Sequence, residues 1–468
     1  MYVDSKASKE MTPPPRGKGP HRRWAVNASM ADVDQRPHRL AVSASMADGK
    51  VRGYEPNAMM TTPDLATEIT AAANAVASRV KEIREDIHAH PELRYQEHRT
   101  AALVAEELRS LGIEVAEGIG QTGVVGVLRG GAGSDRTVGF RAEMDALPTQ
   151  DLCGHPWQSI NPGVGHHCGH DGHVAALLGT ARVLAGMRDR LPGNIKFLFE
   201  PAEEATPDDE IAGSTAMIND GALDDPRPDA IFACHFYPEW PAGSIALKAG
   251  SSFSGNDYFE LTLKGKESHS AVPWKGIDAI VVAAQVISAL QSFTARQLDI
   301  EEAASLTIGT ISGGRASNIL ADSVEMTGTV RISSEEIRND LPAMIERTIK
   351  GVCESFGAEY DLSYYSRHLP AVICAPDEVD VVRSAAIEVL GRDQVIEMRH
   401  PRLAADTVHE WLDRVPGVFF MVGTAGESTD THYPSHHQRF NIANETWPAV
   451  VAAQSMSAIR YLQQARSE

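Results

Sequence analysis

Short apolar segments alternate with amphipathic helices along most of this chain, and this alternation restricts its fold more than any other feature of the sequence. Apolar residues over 69–87 recur every three or four positions, which predicts a helix. Continuous apolar runs at 123–128, 137–141 and 194–200 are typical of buried strands, and a further helix is predicted over 171–186. The sequence therefore predicts an α/β fold with a largely parallel central sheet.

The pattern changes near residue 253. Between 258 and 365 it predicts a strand, a helix, two strands, a helix and a strand, which is the β-α-β-β-α-β order of a small ferredoxin-like sheet. The α/β alternation resumes after Pro370. We therefore expect a discontinuous larger domain over 61–250 and 368–468, with the small domain inserted at 251–367.

The first sixty residues differ from the rest of the chain. They contain ten Lys and Arg against six Asp and Glu, a proline run and a short imperfect duplication over 20–32 and 37–48, without apolar periodicity. Such a segment cannot bury enough apolar surface to offset the entropy lost on ordering. We therefore predict that residues 1–60 form a disordered leader.

Composition excludes several classes of partner. The net charge is −20, whereas nucleic acids and anionic membranes need clustered Lys and Arg. The five cysteines are odd in number and unevenly spread, which disfavours a disulfide framework. The sequence shows neither a run of about 18 apolar residues nor an apolar core near its N-terminus. We expect a cytoplasmic protein that binds a small molecule, without nucleic acid or membrane.

Residues of the types that bind metals follow the predicted strands, where an α/β sheet places its ligands. They occur at five places, which are Arg141-Ala-Glu-Met-Asp145, His166-His-Cys168-Gly-His170, Glu203-Glu204, His235 and His432. Taken singly, an acidic pair or a lone histidine is usually a solvated group. Structural zinc sites favour several thiolates, and only one cysteine is near. The mixed set of donors therefore favours an open catalytic metal site.

The motifs, taken in this order, resemble the M20 family of metallopeptidases and amidohydrolases. The branch concerned contains hippurate, N-acyl-amino-acid and indoleacetyl-amino-acid hydrolases, and the resemblance covers about residues 75–465. It rests on eight motifs: His90-Pro-Glu-Leu93, Arg141 to Pro148, Pro162 to His173, Pro201-Ala-Glu-Glu204, Gly265 to Pro273, Ser317-Asn-Ile-Leu320, Gly328-Thr-Val-Arg331 and Pro416-Gly-Val. The resemblance implies hydrolysis of an amide bond by metal-activated water.

The resemblance also implies roles for individual residues. Glu203 would be the general base, and Asp145 would orient a ligand imidazole. One or two divalent ions would bind, with Mn²⁺ the first choice and Zn²⁺, Co²⁺ or Ni²⁺ as alternatives. Their ligands would be Cys168, His170, Glu204, His235 and His432.

Three residues of the inserted domain complete the implied site. His269 would reach the active site of a partner subunit and stabilise the oxyanion, assisted by Asn318, and Arg331 would bind a substrate carboxylate. Activity would then require a homodimer or a higher homo-oligomer. Without the resemblance, His269 is an ordinary loop histidine and Arg331 an ordinary salt-bridge residue.

Some residues depart from the pattern of the family branch. They are Glu143 in place of Asp, Glu200 in place of Gln, Glu267 in place of Gly, Trp274 in place of His, and Ala405 in place of an acidic residue. These changes suggest altered substrate specificity, and Trp274 could stack on an aromatic acyl group. Two alternatives stay open: the hydrolytic deamination of a nitroaromatic amine at the same site, and a catalytically silent protein that binds metal or ligand.

Overall fold

The computed structural model describes residues 62–133, 135–204, 211–299 and 301–464. The predicted leader at 1–60 lies outside these residues. Up to residue 253, the first part of the chain alternates helices and strands: α1 (Thr62–Ala89), α2 (His98–Ser110), β1 (Glu114–Ile119), β2 (Gly123–Leu128), β3 (Thr137–Glu143), α3 (His170–Gly186), β4 (Asn194–Glu200), α4 (Gly213–Asn219), β5 (Ala230–Pro241), β6 (Ile245–Leu247) and β7 (Gly250–Phe253).

The inserted segment has the predicted order of elements: β8 (Gly255–Lys264), α5 (Ala279–Arg296), β9 (Ala304–Gly313), β10 (Ser323–Ile332), α6 (Glu335–Phe356) and β11 (Glu359–Leu369). The last part of the chain contains β12 (Val372–Cys374), α7 (Pro376–Leu390), β13 (Val395–Glu397), α8 (Val408–Leu412), β14 (Gly417–Ala425) and α9 (Thr446–Gln463).

The large sheet has eight strands in the order β1-β2-β4-β3-β5-β14-β6-β13. Its central strands β4, β3, β5 and β14 are parallel, whereas β2 and β6 pair antiparallel with their inner neighbours. The predicted α/β fold is thus confirmed, with a mixed sheet that is parallel at its centre. The carboxyl ends of the central strands meet at one edge.

Helix α3 is buried between the sheet and the outer helices. Its side chains from His170 to Thr180 are all buried, and the helix packs against α1 and α9. The apolar positions of α1 that the sequence periodicity identifies, such as Ile69 and Ile87, face this core. The buried position of α3 fixes its N-terminus, which carries His170, at the edge where the strands end.

The inserted segment forms its own antiparallel sheet in the order β11-β8-β10-β9, with α5 and α6 packed against it around a separate core. The predicted ferredoxin-like part of the fold is therefore confirmed. Strands β7 and β12, through which the chain enters and leaves this sheet, pair antiparallel with each other. The domain boundaries at 250/251 and 367/368 stay predictions.

Helix α5 differs from the sequence expectation in one respect. Among the described residues it is the single helix whose length and apolar composition would suffice to cross a membrane. One such helix is weak support for a membrane span, because the core helix of a soluble domain passes the same test. Val282, Val286 and Leu290 of α5 are buried in the core of the inserted sheet, and 33% of the helix is buried in all.

A buried ion network ties the ends of β3 and β4 to the loop before α8. Arg141 is fully buried and pairs with Glu143, with Glu200 (Nε to Oε2, 2.6 Å) and with Asp406 (Nη1 to Oδ1, 3.2 Å). It also donates to the Thr407 hydroxyl at 2.9 Å, which in turn donates to Glu200 at 2.7 Å. One guanidinium thus holds three carboxylates from three segments together.

Burial strongly affects the charges of this network. It raises the pKa of Asp406 to about 6, against the lowering effect of Arg141. Burial also opposes the ionisation of Arg141, yet the charges of Asp406, Glu143 and Glu200 raise its pKa well above the usual value. Removing the only cation of this group would leave uncompensated buried charge.

We predict that Arg141→Gln lowers the free energy of unfolding by about 3–5 kcal/mol, because three buried carboxylates lose their cation. Arg129→Gln is the matched control, since Arg129 forms an exposed pair with Glu114, and should cost less than about 1 kcal/mol. Urea unfolding of metal-free protein measures both variants. Equal stabilities of the two would contradict the proposed importance of the network.

Candidate metal centre

The turn before α3 brings a thiol and an imidazole to the edge of the sheet. Gly169 lies between Cys168 and His170 with φ of +96°, a backbone conformation that a residue with a Cβ rarely adopts. A Cβ at this position would also lie 3.3 Å from the ring of Phe440. The glycine therefore allows Cys168 and His170 to face the same space, as the sequence predicts.

Four segments contribute to one cluster of donor atoms. The Sγ atom of Cys168 lies 3.3 Å from Nε2 of His235 on β5. The donor atoms lie within 4.8 Å of one another in each of three overlapping groups: Cys168, His170 and His235; His170, Glu203 and Glu204; and Cys168, Glu204 and His436. The structure therefore brings together four of the five predicted ligands.

The chemistry of this cluster fits divalent metal. Within the described part of the chain, His170 Nε2 and Glu204 Oε1 are buried without a hydrogen-bond partner, although both face the other donors. Burial raises the pKa of Glu204 to about 7, and Asp145 adds to the effect while His170 partly offsets it. Burial also lowers the pKa of His235 well below its usual value, which keeps its lone pair available.

Asp145 orients His170 and lies outside the three groups, as the resemblance implies. Its Oδ1 is 3.2 Å from Nδ1 of His170, and its backbone oxygen is 2.9 Å from the same nitrogen. Its Oδ2 accepts a hydrogen bond from the backbone N–H of Glu204 at 2.9 Å. These contacts direct Nε2 of His170 towards the cluster, an arrangement typical of metal-binding histidines.

Glu203 lies beside the cluster with a separate hydrogen bond. Its Oε2 is 3.8 Å from Nε2 of His170, and its Oε1 accepts from the backbone N–H of Thr407 at 3.3 Å. Burial and the charges of Asp406 and Glu204 raise its pKa well above the usual value. A carboxylate with a raised pKa close to a metal site is suited to accept and return a proton.

The turn that presents Glu203 is strained and is held by a residue that sequence reasoning missed. Ala202 has φ of +48°, and its backbone N–H donates to Oε1 of the buried Glu97 at 2.9 Å. Thr122 donates to the other oxygen of Glu97 at 2.5 Å. No sequence signal identifies Glu97, because a single acidic residue before a helix is common on protein surfaces.

The buried His173 supports β5 beside His235. Phe236 donates its backbone N–H to Nε2 of His173 at 3.1 Å, so the proton of this ring lies on Nδ1, which is 2.8 Å from Glu143. The ring of His173 packs edge-on against that of His235, with centroids 4.7 Å apart. The ion network around Arg141 therefore reaches the candidate ligand His235 through Glu143 and His173.

The structure places His432, which is predicted as a ligand, away from the cluster. Both His432 and His436 are exposed, but Nε2 of His432 lies 2.8 Å from the carbonyl oxygen of Gly426, and His432 belongs to none of the donor groups found in the described residues. His436 occupies that place, with Nε2 3.5 Å from Oε1 of Glu204. The residue types of this loop do not distinguish its three histidines.

Backbone geometry explains why His436 reaches the cluster. It has φ of +69°, and its backbone N–H donates to the carbonyl oxygen of His167 at 2.6 Å. This bond ties the loop to the turn that contains Cys168. A non-glycine residue held in the left-handed region is often found at a functional site.

The three predicted residues of the inserted domain lie outside the donor groups. His269 and Asn318 are exposed neighbours on paired segments, where Ser270 N–H donates to the Asn318 carbonyl at 3.0 Å. Ala271 N–H donates to Nδ1 of His269 at 3.0 Å, which leaves the Nε2 proton available to a ligand. Arg331 is partly buried on β10.

Fold and donor set together define a metal-dependent hydrolase, and comparison with known proteins agrees. The model of peptidase family M20/M25/M40 matches residues 139–454. An N-acetyl-L-cysteine deacetylase of Bacillus subtilis is 35% identical over 75% of this chain and 82% of its own. An N-acyl-L-amino acid amidohydrolase of Geobacillus stearothermophilus is 37% identical over 65% of this chain and 80% of its own.

A solved structure extends the comparison to the fold. The YXEP protein of Bacillus subtilis, described as a dinuclear metal-binding peptidase from the M20 family, matches with a TM-score of 0.71 and 29% identity over 84% of this chain and 99% of its own. The chain therefore belongs to the M20 family and is a metal-dependent amidohydrolase.

We predict that His436→Ala weakens metal binding by more than about tenfold, because it removes a donor that faces Glu204. His432→Ala is the matched control from the same loop and should retain the metal of the unchanged protein. Elemental analysis after dialysis against a graded series of metal buffers measures both. A greater loss of metal affinity in His432→Ala than in His436→Ala would instead support His432 as the ligand.

Proposed function

We propose that this protein hydrolyses the amide bond of an N-acyl or N-aroyl amino acid, releasing a carboxylic acid and an amine. The observation that carries the proposal is the difference between two neighbouring carboxylates: Glu204 belongs to two donor groups, whereas Glu203 belongs to one and accepts a hydrogen bond from the backbone N–H of Thr407 through its other oxygen. The relatives named for deacetylation and N-acyl amino acid hydrolysis support the same bond type.

In the proposed reaction, the metal ligands and Glu203 have different tasks. A divalent ion would be held by Cys168, His170, Glu204, His235 and His436, and would supply a Lewis acid that polarises the carbonyl and lowers the pKa of water towards ~7. Glu203 accepts the proton as the water oxygen bonds to the carbonyl carbon. It then gives that proton to the nitrogen as the C–N bond breaks.

The number and kind of metal ions are part of the proposal. The donor set combines oxygen, nitrogen and sulfur and can bind one or two divalent ions. Carboxylates suit Mn²⁺, which stays the first choice, whereas the thiol and imidazoles also suit Zn²⁺, Co²⁺ or Ni²⁺. Each pair of the three donor groups has one residue in common, which is Cys168, His170 or Glu204, and this overlap supports a site that accommodates two ions.

We also propose that the active form is a homodimer in the cytoplasm. Ile280 and Val281 of α5 and Ile311 of β9 are all about half exposed, and β9 is the edge strand of the inserted sheet. An apolar helix surface beside an open strand edge is suited to pair with a second copy. His269 of one protomer would then donate to the oxyanion in the active site of the other, with Asn318 assisting and Arg331 binding the substrate carboxylate.

We predict that Mn²⁺-loaded protein releases acetate from a panel of N-acetyl amino acids, as measured by mass spectrometry. Glu203→Gln should bind metal normally and reduce kcat by at least ~10²-fold, because it removes the group that transfers the proton. The same panel includes nitroaromatic amines. Ammonia release from these compounds without amide cleavage would favour deamination instead, and metal-loaded protein without turnover of any compound would favour the silent binding protein.

We predict that mixing Glu203→Gln subunits with His269→Ala subunits restores part of the activity, because each heterodimer then contains one intact combination of the two residues. Activity is measured after verified subunit exchange, with each variant alone as the control. Verified heterodimers that stay inactive would contradict the action of His269 on the partner's site.

A further inference from the structure

A pocket with several basic residues is formed by the loop before α8, and none of its lining residues belongs to the donor groups found in the described residues. Its cavity of about 590 Å³ is lined by Trp240 and by the loop over 396–404. Three of its lining residues, Arg399, His400 and Arg402, carry basic side chains and one, Glu397, is acidic, in a chain of net charge −20. A local excess of basic groups on an acidic protein is suited to an anionic ligand.

Arg402 has a fixed position in this pocket. Its guanidinium carbon lies 3.7 Å from the ring centroid of Tyr237 and 5.4 Å from that of Trp240. Nη2 is 2.8 Å from Oε1 of Glu239, which is half exposed, and within the described part of the chain Nε has no hydrogen-bond partner. Stacking on Tyr237 thus holds the guanidinium in place before a ligand arrives.

The backbone at Arg402 is equally constrained. Its N–H donates to the carbonyl oxygen of Ser252, and its carbonyl oxygen accepts from Ser254 N–H, both at 2.9 Å. The loop is therefore fastened to the strand β7 region, where the chain enters the inserted sheet. A guanidinium with few accessible conformations loses little entropy when it binds an anion.

Tyr237 connects this pocket with the metal centre. The ring of Tyr237 stacks on the ring of His235, with centroids 4.5 Å apart and an interplanar angle of 24°. A single phenol ring thus separates the guanidinium of Arg402 from a candidate metal ligand. The loop continues from Arg402 to Thr407, whose backbone N–H donates to Glu203.

We propose that Arg402 binds the α-carboxylate of the substrate and selects amides of amino acids that carry this group. The inference rests on the proposed function, in which the α-carboxylate lies two bonds from the scissile nitrogen. The fork of the guanidinium can pair with the two carboxylate oxygens while Glu239 moves towards solvent. Arg402 belongs to the large domain, and in this proposal it takes over the carboxylate contact that the resemblance implies for Arg331 of the inserted sheet.

The test compares two compounds that differ in one charge, N-acetyl-L-phenylalanine and N-acetyl-L-phenylalaninamide. Isothermal titration of Mn²⁺-loaded Glu203→Gln protein measures affinity without turnover, and acetate release by protein with Glu203 intact measures kcat and KM. We expect Arg402→Gln to weaken binding of the acid and raise its KM by about tenfold or more, with the amide changed less than about twofold. Arg402→Lys should restore part of the preference, because the charge returns without the fork.

Arg392→Gln is the control, since Arg392 is an exposed residue of the neighbouring turn and lies outside the pocket lining. It should leave both compounds unaffected. Equal affinities of the acid and the amide for the Glu203→Gln protein would overturn the proposal, as would a preference that persists in Arg402→Gln and disappears in Arg331→Gln. Absence of acetate release from any N-acetyl amino acid would overturn the proposed function, whereas the titrations test Arg402 independently of turnover.

Discussion

The buried side chain of Arg141 is the interaction on which the functional edge of the sheet depends. It joins the ends of β3 and β4 to the loop before α8 by pairing with three carboxylates. Thr407 extends this network, since its hydroxyl donates a hydrogen bond to Glu200 and its backbone N–H donates one to Glu203. The position of the candidate base is therefore set by an ion network behind it, and the network in turn requires that the two strand ends stay in register.

At this edge of the sheet, one set of residues supplies the candidate metal donors, and a second set holds those donors in position. The donor atoms of Cys168, His170, Glu204, His235 and His436 face one another, whereas Asp145, Glu97 and His173 hold the backbone or the rings of their neighbours. Two non-glycine residues with positive φ, Ala202 and His436, present groups to the cluster. The surrounding hydrogen bonds offset the strain of these conformations, which is common at catalytic sites.

Much of this organisation follows from the sequence, and the exceptions have physical reasons. The long helix α1 has strong apolar periodicity and the buried strand β4 a continuous apolar run; the predicted bounds of β4 agree with the structure, whereas α1 extends beyond the periodic residues at both ends. Strand β1 is mostly exposed and its six residues include two glutamates and a glycine, and β6 and β13 have three residues each, so no apolar pattern could develop. His436 depends on a backbone dihedral, and Arg402 on the stacking of distant rings, which a linear pattern does not contain.

The pairing of β7 with β12 has a consequence for how this architecture can change. Val372 lies directly opposite Phe253, so the two points at which the chain leaves and rejoins the large domain are adjacent strands, with Cα atoms on the order of 5 Å apart. The inserted sheet is therefore a domain whose two ends lie next to each other. Replacing it by another domain, or by a tight turn, would leave the strand order of the large sheet unaltered. Evolution or a designer could therefore exchange the inserted sheet without rebuilding the metal centre.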